Sequence, residues 1–176
     1  MRKGSGDAGA LFRFRALDLK NAPIQIRRSA LTSSDAARLI AALNAELMAT
    51  HPEPGSTHFS LSDEQVTDGQ GAFFIAWLDE VAVGCGAVRC LDESTAELKR
   101  MYVDPQVRGQ GIGRALVESL EREVRRLGVR RVALETGARL APAIRLYEGL
   151  GYVRIPLFGE YLSSPDTSVC FGKSLA

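Results

Sequence analysis

Apolar side chains recur along this chain with two different periods, and each period predicts a different element. Between residues 112 and 127 they recur at helical spacing, which predicts an amphipathic helix that ends at Gly128. Its apolar residues are Ile112, Leu116, Leu120, Val124 and Leu127. Shorter apolar or alternating runs bounded by turn residues predict strands. These runs are 24–28, 72–78, 81–90, 96–103, 131–135, 152–155 and 168–172.

The connections between these runs predict how the strands pair. The turns at 79–80 and 91–95 are short, so the strands that they join must be antiparallel neighbours. The long helix lies between strands 96–103 and 131–135. Because a helical crossover returns the chain in the same direction, we expect those two strands to be parallel.

Two further segments predict helices. Residues 35–50 follow the capping sequence Ser33-Ser34-Asp35, and residues 141–150 carry Pro142 in the first turn and precede Gly151. Together with the strands, these helices predict an α+β fold. Its centre is a mixed, mostly antiparallel sheet of about seven strands with helices on both faces.

Composition and charge limit the classes of protein that fit. The chain has 176 residues, of which 45% are hydrophobic and 24% charged, an ordinary balance for one globular domain. We expect that domain at 23–176, behind a flexible tail at 1–22. A net charge of +1 gives no reason to expect nucleic-acid or membrane binding. No apolar run is long enough to predict a membrane span or a signal peptide.

The cysteines and histidines predict neither a metal site nor a disulfide framework. Three cysteines, Cys85, Cys90 and Cys170, lack metal-binding spacing, and only two histidines are present. An odd cysteine count is typical of buried thiols in a reducing compartment, so we expect a cytoplasmic protein.

The turn before the long helix has the chemistry of a phosphate site. Gly109, Gly111 and Gly113 allow close approach of the backbone, and the helix that follows offers unpaired amides to an anion. Arg108 and Arg114 flank the turn and can pair with phosphate oxygens. The alternative is a tight connection in which the glycines serve packing alone.

Two common nucleotide-binding motifs do not fit this turn. No GxxxxGK sequence followed by Ser or Thr is present. The dinucleotide pattern GxGxxG fails because its last position would be Arg114, although Glu135, at the end of the next strand, stands where a ribose-binding acid could be. Because of the position of Glu135, a nucleotide-binding redox enzyme remains an alternative function.

Residues 108–113, Arg-Gly-Gln-Gly-Ile-Gly, match R/Q-x-x-G-x-G/A, and residues 143–152 match A-x-x-L-Y-x-x-x-G-F/Y. These two segments resemble the acyl-CoA pyrophosphate motif and a downstream motif of the GNAT superfamily of N-acetyltransferases. The resemblance extends from about residue 24 to the C-terminus. It implies a GNAT-like fold, with acetyl-CoA as co-substrate and no metal.

The resemblance also implies which residues bind acetyl-CoA. The turn would hold the pyrophosphate, and the end of the strand 96–103 would pair with the pantetheine arm and acyl carbonyl, with an amide near Met101 or Tyr102 as oxyanion donor. Leu140 departs from the pattern, since many members have Asn or Gln there, and Arg139 is a candidate replacement. The implied cofactor residues are Met101, Tyr102, Val103, Arg108, Gly109, Gln110, Gly111, Ile112, Gly113, Arg114 and Ala143.

Two residues are candidates for the acid–base chemistry. Tyr147 matches the usual general acid of the family, which protonates the leaving sulfur; the alternative is a core aromatic. Glu97 lies where the histone-acetylating branch carries its glutamate base, and a raised pKa would suit it to that task. The alternative is a surface glutamate paired with Lys99 or a neighbouring strand. Cys85 and Cys90, on a central strand, remain candidates for carrying the acyl group.

The acceptor site is the least defined part of the prediction. In the family the segment before the second strand shapes that pocket, which makes His58 and Phe59 candidates, with a solvent-exposed histidine as the alternative. Glu160 and Tyr161, in an irregular segment before the last strand, suit a cationic amine. We expect direct transfer to a primary amine, small or amino-acid-like, by a monomer or homodimer. The alternatives are acetylation of a protein lysine or N-terminus, and a non-catalytic acyl-CoA-binding module.

Overall fold

The computed structural model describes residues 22–50, 52 and 60–176. The predicted tail, apart from Ala22, and the acceptor candidates His58 and Phe59 lie outside this part of the chain. Seven strands form one sheet in the order β1-β2-β3-β4-β5-β7-β6. They are β1 (Ile24–Arg28), β2 (Gly71–Leu78), β3 (Val81–Cys90), β4 (Thr95–Val103), β5 (Arg131–Gly137), β6 (Val153–Ile155) and β7 (Ser168–Ser174).

The pairing of the strands confirms the predicted mixed sheet. Strands β4 and β5 are parallel, as the helical crossover requires, and the other neighbouring pairs are antiparallel. The helices are α1 (Ser34–Thr50), α2 (Ile112–Arg126) and α3 (Ala141–Gly149). The segment before β7, expected to be irregular, contains a short 3₁₀ helix at Gly159–Ser163.

Helices cover both faces of the sheet, as predicted. On one face, Leu120 and Val124 of α2 pack with Val88 and Leu134 of the sheet. The opposite face packs against α1, where Leu39 meets a second cluster of sheet residues that includes Phe73, Ile75 and Cys85. Complete burial of a leucine-sized side chain stabilises a fold by about 1.5–3 kcal/mol. The two apolar layers therefore fix the sheet between the helices.

Strand β4 is irregular near its C-terminal end. Its register with β3 shifts between Cys85 and Ala87, and Arg100 has a φ of 55°, a left-handed conformation that is uncommon for a residue with a side chain. The extra residue of this bulge turns the end of the strand away from a regular ladder. Gly86 lies against the bulge, where an added Cβ would be 2.5 Å from Met101 Sδ.

Strands β4 and β5 separate where the bulge begins. Their ladder ends at the pair Leu98–Leu134, although β4 continues to Val103 and β5 to Gly137. The two strand ends therefore open a cleft in the middle of the sheet. The unpaired edges of this cleft leave backbone donors and acceptors for a bound molecule.

Candidate active site

The cleft between β4 and β5 holds a cavity of about 460 Å³. Helix α1 contributes Leu43, Glu46 and Leu47 to the wall, and the rest comes from the two strand ends, the glycine turn, helix α3 and Tyr161. The cavity brings together most of the predicted cofactor residues. Those that line it are Met101, Tyr102, Val103, Arg108, Gly109, Gly111, Ile112, Gly113, Arg114 and Ala143. Gln110 is the one predicted cofactor residue that is not part of this lining.

The glycine turn has the backbone geometry of an anion site. Gly109 and Gly111 have φ angles of 82° and 84°, and nothing within 4 Å of either position would contact a Cβ. Helix α2 begins at Ile112, so its first amides have no partner inside the helix and the positive end of its dipole faces the turn. Arg114 lies in the first turn and also lines the cavity. These features fit a pyrophosphate group.

Arg108 connects the glycine turn to helix α1. Its guanidinium lies 2.6 Å from a Glu46 carboxylate oxygen and donates from Nε to the Val103 carbonyl oxygen at 2.9 Å. It also lies over the ring of Tyr102, 5.9 Å from the centroid. Sequence reasoning missed Glu46, because its partner is far along the chain and a partly exposed glutamate on a helix carries no local signal.

Tyr147 belongs both to the core and to the cavity wall. Its side chain is 4% exposed, and its ring packs edge-on against Tyr152 and at a tilt against Phe171. Burial raises the pKa of the Tyr147 phenol well above its usual range, and the nearby Glu135 raises it further. The phenol therefore keeps its proton at neutral pH, as a hydrogen donor must.

Glu97 is enclosed by other side chains and does not line the cavity. It is 0% exposed, so the alternative of a surface glutamate is wrong. The Tyr161 hydroxyl donates to one carboxylate oxygen at 2.5 Å, and Arg89 Nε donates to the other at 2.7 Å. Lys99 Nζ lies 3.8 Å away. The predicted pairing with Lys99 and with a neighbouring strand is therefore present, but around a buried group.

Glu135 is a functional candidate whose role sequence reasoning missed. It follows the last residue of β5 that pairs with β4, and it lines the cavity. Burial raises the pKa of its carboxyl to about 7, against the opposing effects of a hydrogen bond with Ser168 and the charge of Lys99. A carboxyl with this pKa suits a general base at neutral pH. The available signal in the sequence is the position of Glu135 at the end of a strand. On sequence alone, that position suggests only a ribose-binding acid.

Of the two acceptor candidates in the described part of the chain, Tyr161 lines the cavity and Glu160 does not. Tyr161 is 3% exposed and lines the cavity. Glu160 stands behind it, not in the lining, with its carboxylate on the Lys99 ammonium and 3.3 Å from Arg89 Nη2. Leu140, at which the sequence departs from the family pattern, also lines the cavity and presents an apolar side chain to it. Arg139, the candidate replacement, donates instead to the Thr50 carbonyl oxygen at 3.2 Å.

The cysteines on strand β3 lack the chemistry of an acyl carrier. Cys85 is completely buried, and burial raises the pKa of its thiol to about 12. Burial also raises the pKa of Cys90. Because the thiolate is the nucleophilic form, neither side chain is activated for acyl transfer.

This geometry can be compared with known proteins. The family model for acetyltransferases of the GNAT family matches residues 37–152. The chain belongs to the GNAT acetyltransferase family. It is therefore an enzyme of the acyltransferase class, and the two sequence motifs identified the family correctly.

Individual relatives agree with this assignment. The chain is 40% identical to an IAA acetyltransferase of Azospirillum brasilense over 94 residues, which are 53% of this chain and 61% of that relative. The match thus spans less than two thirds of the relative's length. A structure described as an acyl-CoA N-acyltransferase from Klebsiella pneumoniae is 34% identical, with a TM-score of 0.74 over 89% of this chain and all of that one.

A third comparison bears on the fold alone. A GNAT family acetyltransferase from Elizabethkingia anophelis, whose structure has acetyl-CoA bound, shares 16% identity with a TM-score of 0.63. The match covers 86% of this chain and 98% of that one.

Within the described part of the chain, no helix is long and apolar enough to cross a membrane. The same residues contain no group of three or more His, Cys, Asp or Glu side chains placed to hold a metal ion.

Proposed function

We propose that this GNAT acetyltransferase transfers an acetyl group from acetyl-CoA to a primary amine, small or amino-acid-like, by direct attack in a ternary complex. The observation that carries the proposal is one cavity lined by the glycine turn, the open end of β4, Glu135 and Tyr147. It combines an anion site with a base and an acid in a single cleft. A relative that acts on a small molecule, as the name IAA acetyltransferase indicates, supports a small acceptor.

The glycine turn would hold the pyrophosphate of acetyl-CoA. Backbone amides at the start of α2 and the Arg114 guanidinium provide donors and positive charge. The edge of β4 at Met101–Val103, unpaired with β5, would bond the pantetheine arm, and an amide of this segment would stabilise the oxyanion. Ala143 and Leu140 offer an apolar wall to the arm.

Glu135 is the proposed base and Tyr147 the proposed acid. An acceptor ammonium gives a proton to the Glu135 carboxylate, and the neutral amine then attacks the thioester carbonyl. A carbon–nitrogen bond forms and the carbon–sulfur bond breaks. The Tyr147 phenol supplies the proton to the leaving thiolate, and the second proton that the nitrogen loses on becoming an amide restores the phenol. We place the base at Glu135 because it lines the cavity, whereas Glu97, the candidate drawn from the family resemblance, is enclosed by Arg89 and Tyr161.

The remaining proposals concern the whole chain. We propose that residues 23–176 form a single catalytic domain, because one sheet and three helices share continuous apolar layers through the described part of this range. The protein would act as a monomer or homodimer in the cytoplasm, without nucleic-acid or membrane binding. The net charge of +1 supports the last point.

Calorimetric titration with acetyl-CoA, with NAD and ATP as controls, tests the cofactor assignment. We expect binding of acetyl-CoA alone. Thiol release is then measured across a panel of small amines, amino acids, and peptides with a free lysine or N-terminus. Release with small amines supports the proposal. Binding without release from any acceptor would favour an acyl-CoA-binding module, release with peptides alone would make the acceptor a protein, and binding of NAD would favour a redox enzyme.

A further inference from the structure

Lys99 and Glu135 occupy matching positions where β4 and β5 separate. Leu98 and Leu134 form the last pair of the parallel ladder, and the next residue on each strand is Lys99 and Glu135, respectively. Both residues line the cavity. Because side chains alternate along a strand, Lys99 and Glu135 share the face of the sheet that carries Glu97. The ammonium and the carboxylate therefore stand across the cleft from each other on the same face of the sheet.

The Lys99 ammonium is held in a buried position. Its side chain is 4% exposed, and Nζ donates to a Glu160 carboxylate oxygen. Glu97 Oε1 lies 3.8 Å from Nζ, and the Tyr161 ring centroid lies 5.5 Å from it. A cation that is removed from water in this way interacts more strongly with its neighbours than a surface lysine does.

The charged groups around Glu135 have opposite effects on its ionisation. Carboxylates Glu97 and Glu160 oppose a negative charge on Glu135, and Lys99 favours it. Arg89 compensates Glu97 directly at 2.7 Å and reaches Glu160 at 3.3 Å. Arg100 also lines the cavity and interacts with the charge of Glu160, but Lys99 stands at the position of β4 that matches Glu135. The other titratable or polar neighbours of Glu135 are Tyr147 of α3, Tyr161 of the 3₁₀ segment, and Ser168 and Cys170 of β7.

We propose that Lys99 is a positioning residue for the base, and that its buried ammonium, at the matching position of the neighbouring strand, holds the Glu135 carboxylate charged in the cavity. The inference rests on the proposed function, since Glu135 needs its charge only to take a proton from the acceptor. Without Lys99, Glu135 faces the carboxylates of Glu97 and Glu160 and lacks the cation at the matching position of β4. It then keeps its proton at neutral pH, and the acceptor ammonium stays protonated.

Three variants and one control test this role. Lys99→Met removes the charge, Lys99→Arg restores it, and Glu160→Gln removes the group that competes with Glu135 for Lys99. Lys173→Met is the matched control, because Lys173 also binds a buried glutamate, Glu121, at 2.7 Å but lies outside the cavity lining. Each protein is titrated by ¹³C carboxyl NMR without substrates, with the Glu135 signal assigned from the Glu135→Gln spectrum. The acid limb of kcat/KM is measured in parallel.

The directions of the expected shifts differ between variants. Lys99→Met should move the Glu135 midpoint up by about one pH unit or more, as loss of a close opposite charge predicts. Glu160→Gln should move it down, because a like charge is lost and Lys99 is freed. Lys99→Arg should return it close to wild type, and Lys173→Met should leave it unchanged. The affinity for acetyl-CoA should stay the same throughout.

An unchanged Glu135 midpoint in folded Lys99→Met would overturn the inference. Should that variant fail to fold, Lys99→Gln, which removes the charge but keeps a hydrogen donor for Glu160, is titrated in its place. Absence of the upward shift would then overturn the inference. Shifts in the expected directions without acetyl transfer to any amine would support the electrostatic role of Lys99 and overturn the proposed function instead.

Discussion

Arg108 on the glycine turn and Glu46 on helix α1 form an ion pair at 2.6 Å, and both residues line the cavity. The contact places a carboxylate beside the turn that is proposed to bind pyrophosphate. It also occupies the guanidinium that the sequence motif assigns to phosphate. If pyrophosphate binds at this turn as proposed, Glu46 and the pyrophosphate compete for the same cation.

Glu46→Gln should tighten binding of acetyl-CoA. The substitution removes a like charge near the phosphates and frees Arg108. Because the pair is partly exposed, the effect is modest, and we expect the Kd to fall about two- to fivefold, with a smaller gain at high salt. Glu80→Gln, which removes an exposed partner of Arg27 away from the cavity, is the calorimetric control. Weaker binding in Glu46→Gln would mean that Glu46 orients Arg108 for the cofactor rather than competing for it.

Gly111→Asp should abolish binding of acetyl-CoA. Gly111 has a φ of 84° and lines the cavity, so the new carboxylate would stand against the pyrophosphate. Gly128→Asp is the matched control, because Gly128 has a φ of 77° with nothing within 4 Å, at the far end of the same helix. Backbone strain should cost about 1–2 kcal/mol of stability in both proteins. Calorimetry should show binding in the control alone, and micromolar binding in Gly111→Asp would contradict the anion site.

Tyr147→Phe should lower turnover and leave the affinity for acetyl-CoA unchanged. The ring, which packs on Tyr152 and Phe171, is retained, and only the proton donor is lost. General acid catalysis contributes about a hundredfold or more, which sets the expected fall in kcat. Tyr152→Phe is the control, since that buried hydroxyl donates to Glu121 at 3.0 Å instead of lining the cavity. An equal rate in wild type and Tyr147→Phe would leave Tyr147 with a packing role alone.

Activity should fall as the pH drops below about 7, because Glu135 must be deprotonated to act as a base and burial raises its pKa to about 7. Glu135→Gln should lower kcat/KM about a hundredfold or more and remove this acid limb. The measurement is a pH profile of kcat/KM for both proteins. A limb that persists in Glu135→Gln would assign the titration to another group.

The same variant should be more stable than wild type at pH 8. The pKa of Glu135 is higher in the folded state than in the unfolded state, so its contribution to stability is complete below the unfolded pKa and is lost as the pH rises through the folded value of about 7. At pH 8 the wild type keeps a buried charge that glutamine lacks. We expect a gain on the order of 2 kcal/mol in the free energy of unfolding at pH 8 and little at pH 4, measured by urea denaturation.

Sequence by itself determined the elements, the sheet direction and the glycine turn. Helical periodicity, short turns and the crossover act over a few residues, so 112–127 and the parallel pairing of β4 with β5 could be predicted from local rules. Positive φ at Gly109 and Gly111 is also a local property. Tyr147 was recognised from a motif, which identified its place in the chain but not its burial.

Only the tertiary structure decided which ionisable groups meet. Tyr161 closes over Glu97 from 64 residues away, and Arg108 reaches Glu46 from 62 residues away. Glu135 and Lys99 meet at the cleft because the β4–β5 ladder ends one residue before them and the bulge follows on β4. Burial and charge act through space and set the pKa of a carboxyl, so periodicity along the chain carries no information about them. The sequence therefore located the glycine turn, while the fold favours Glu135 over Glu97 as the candidate base.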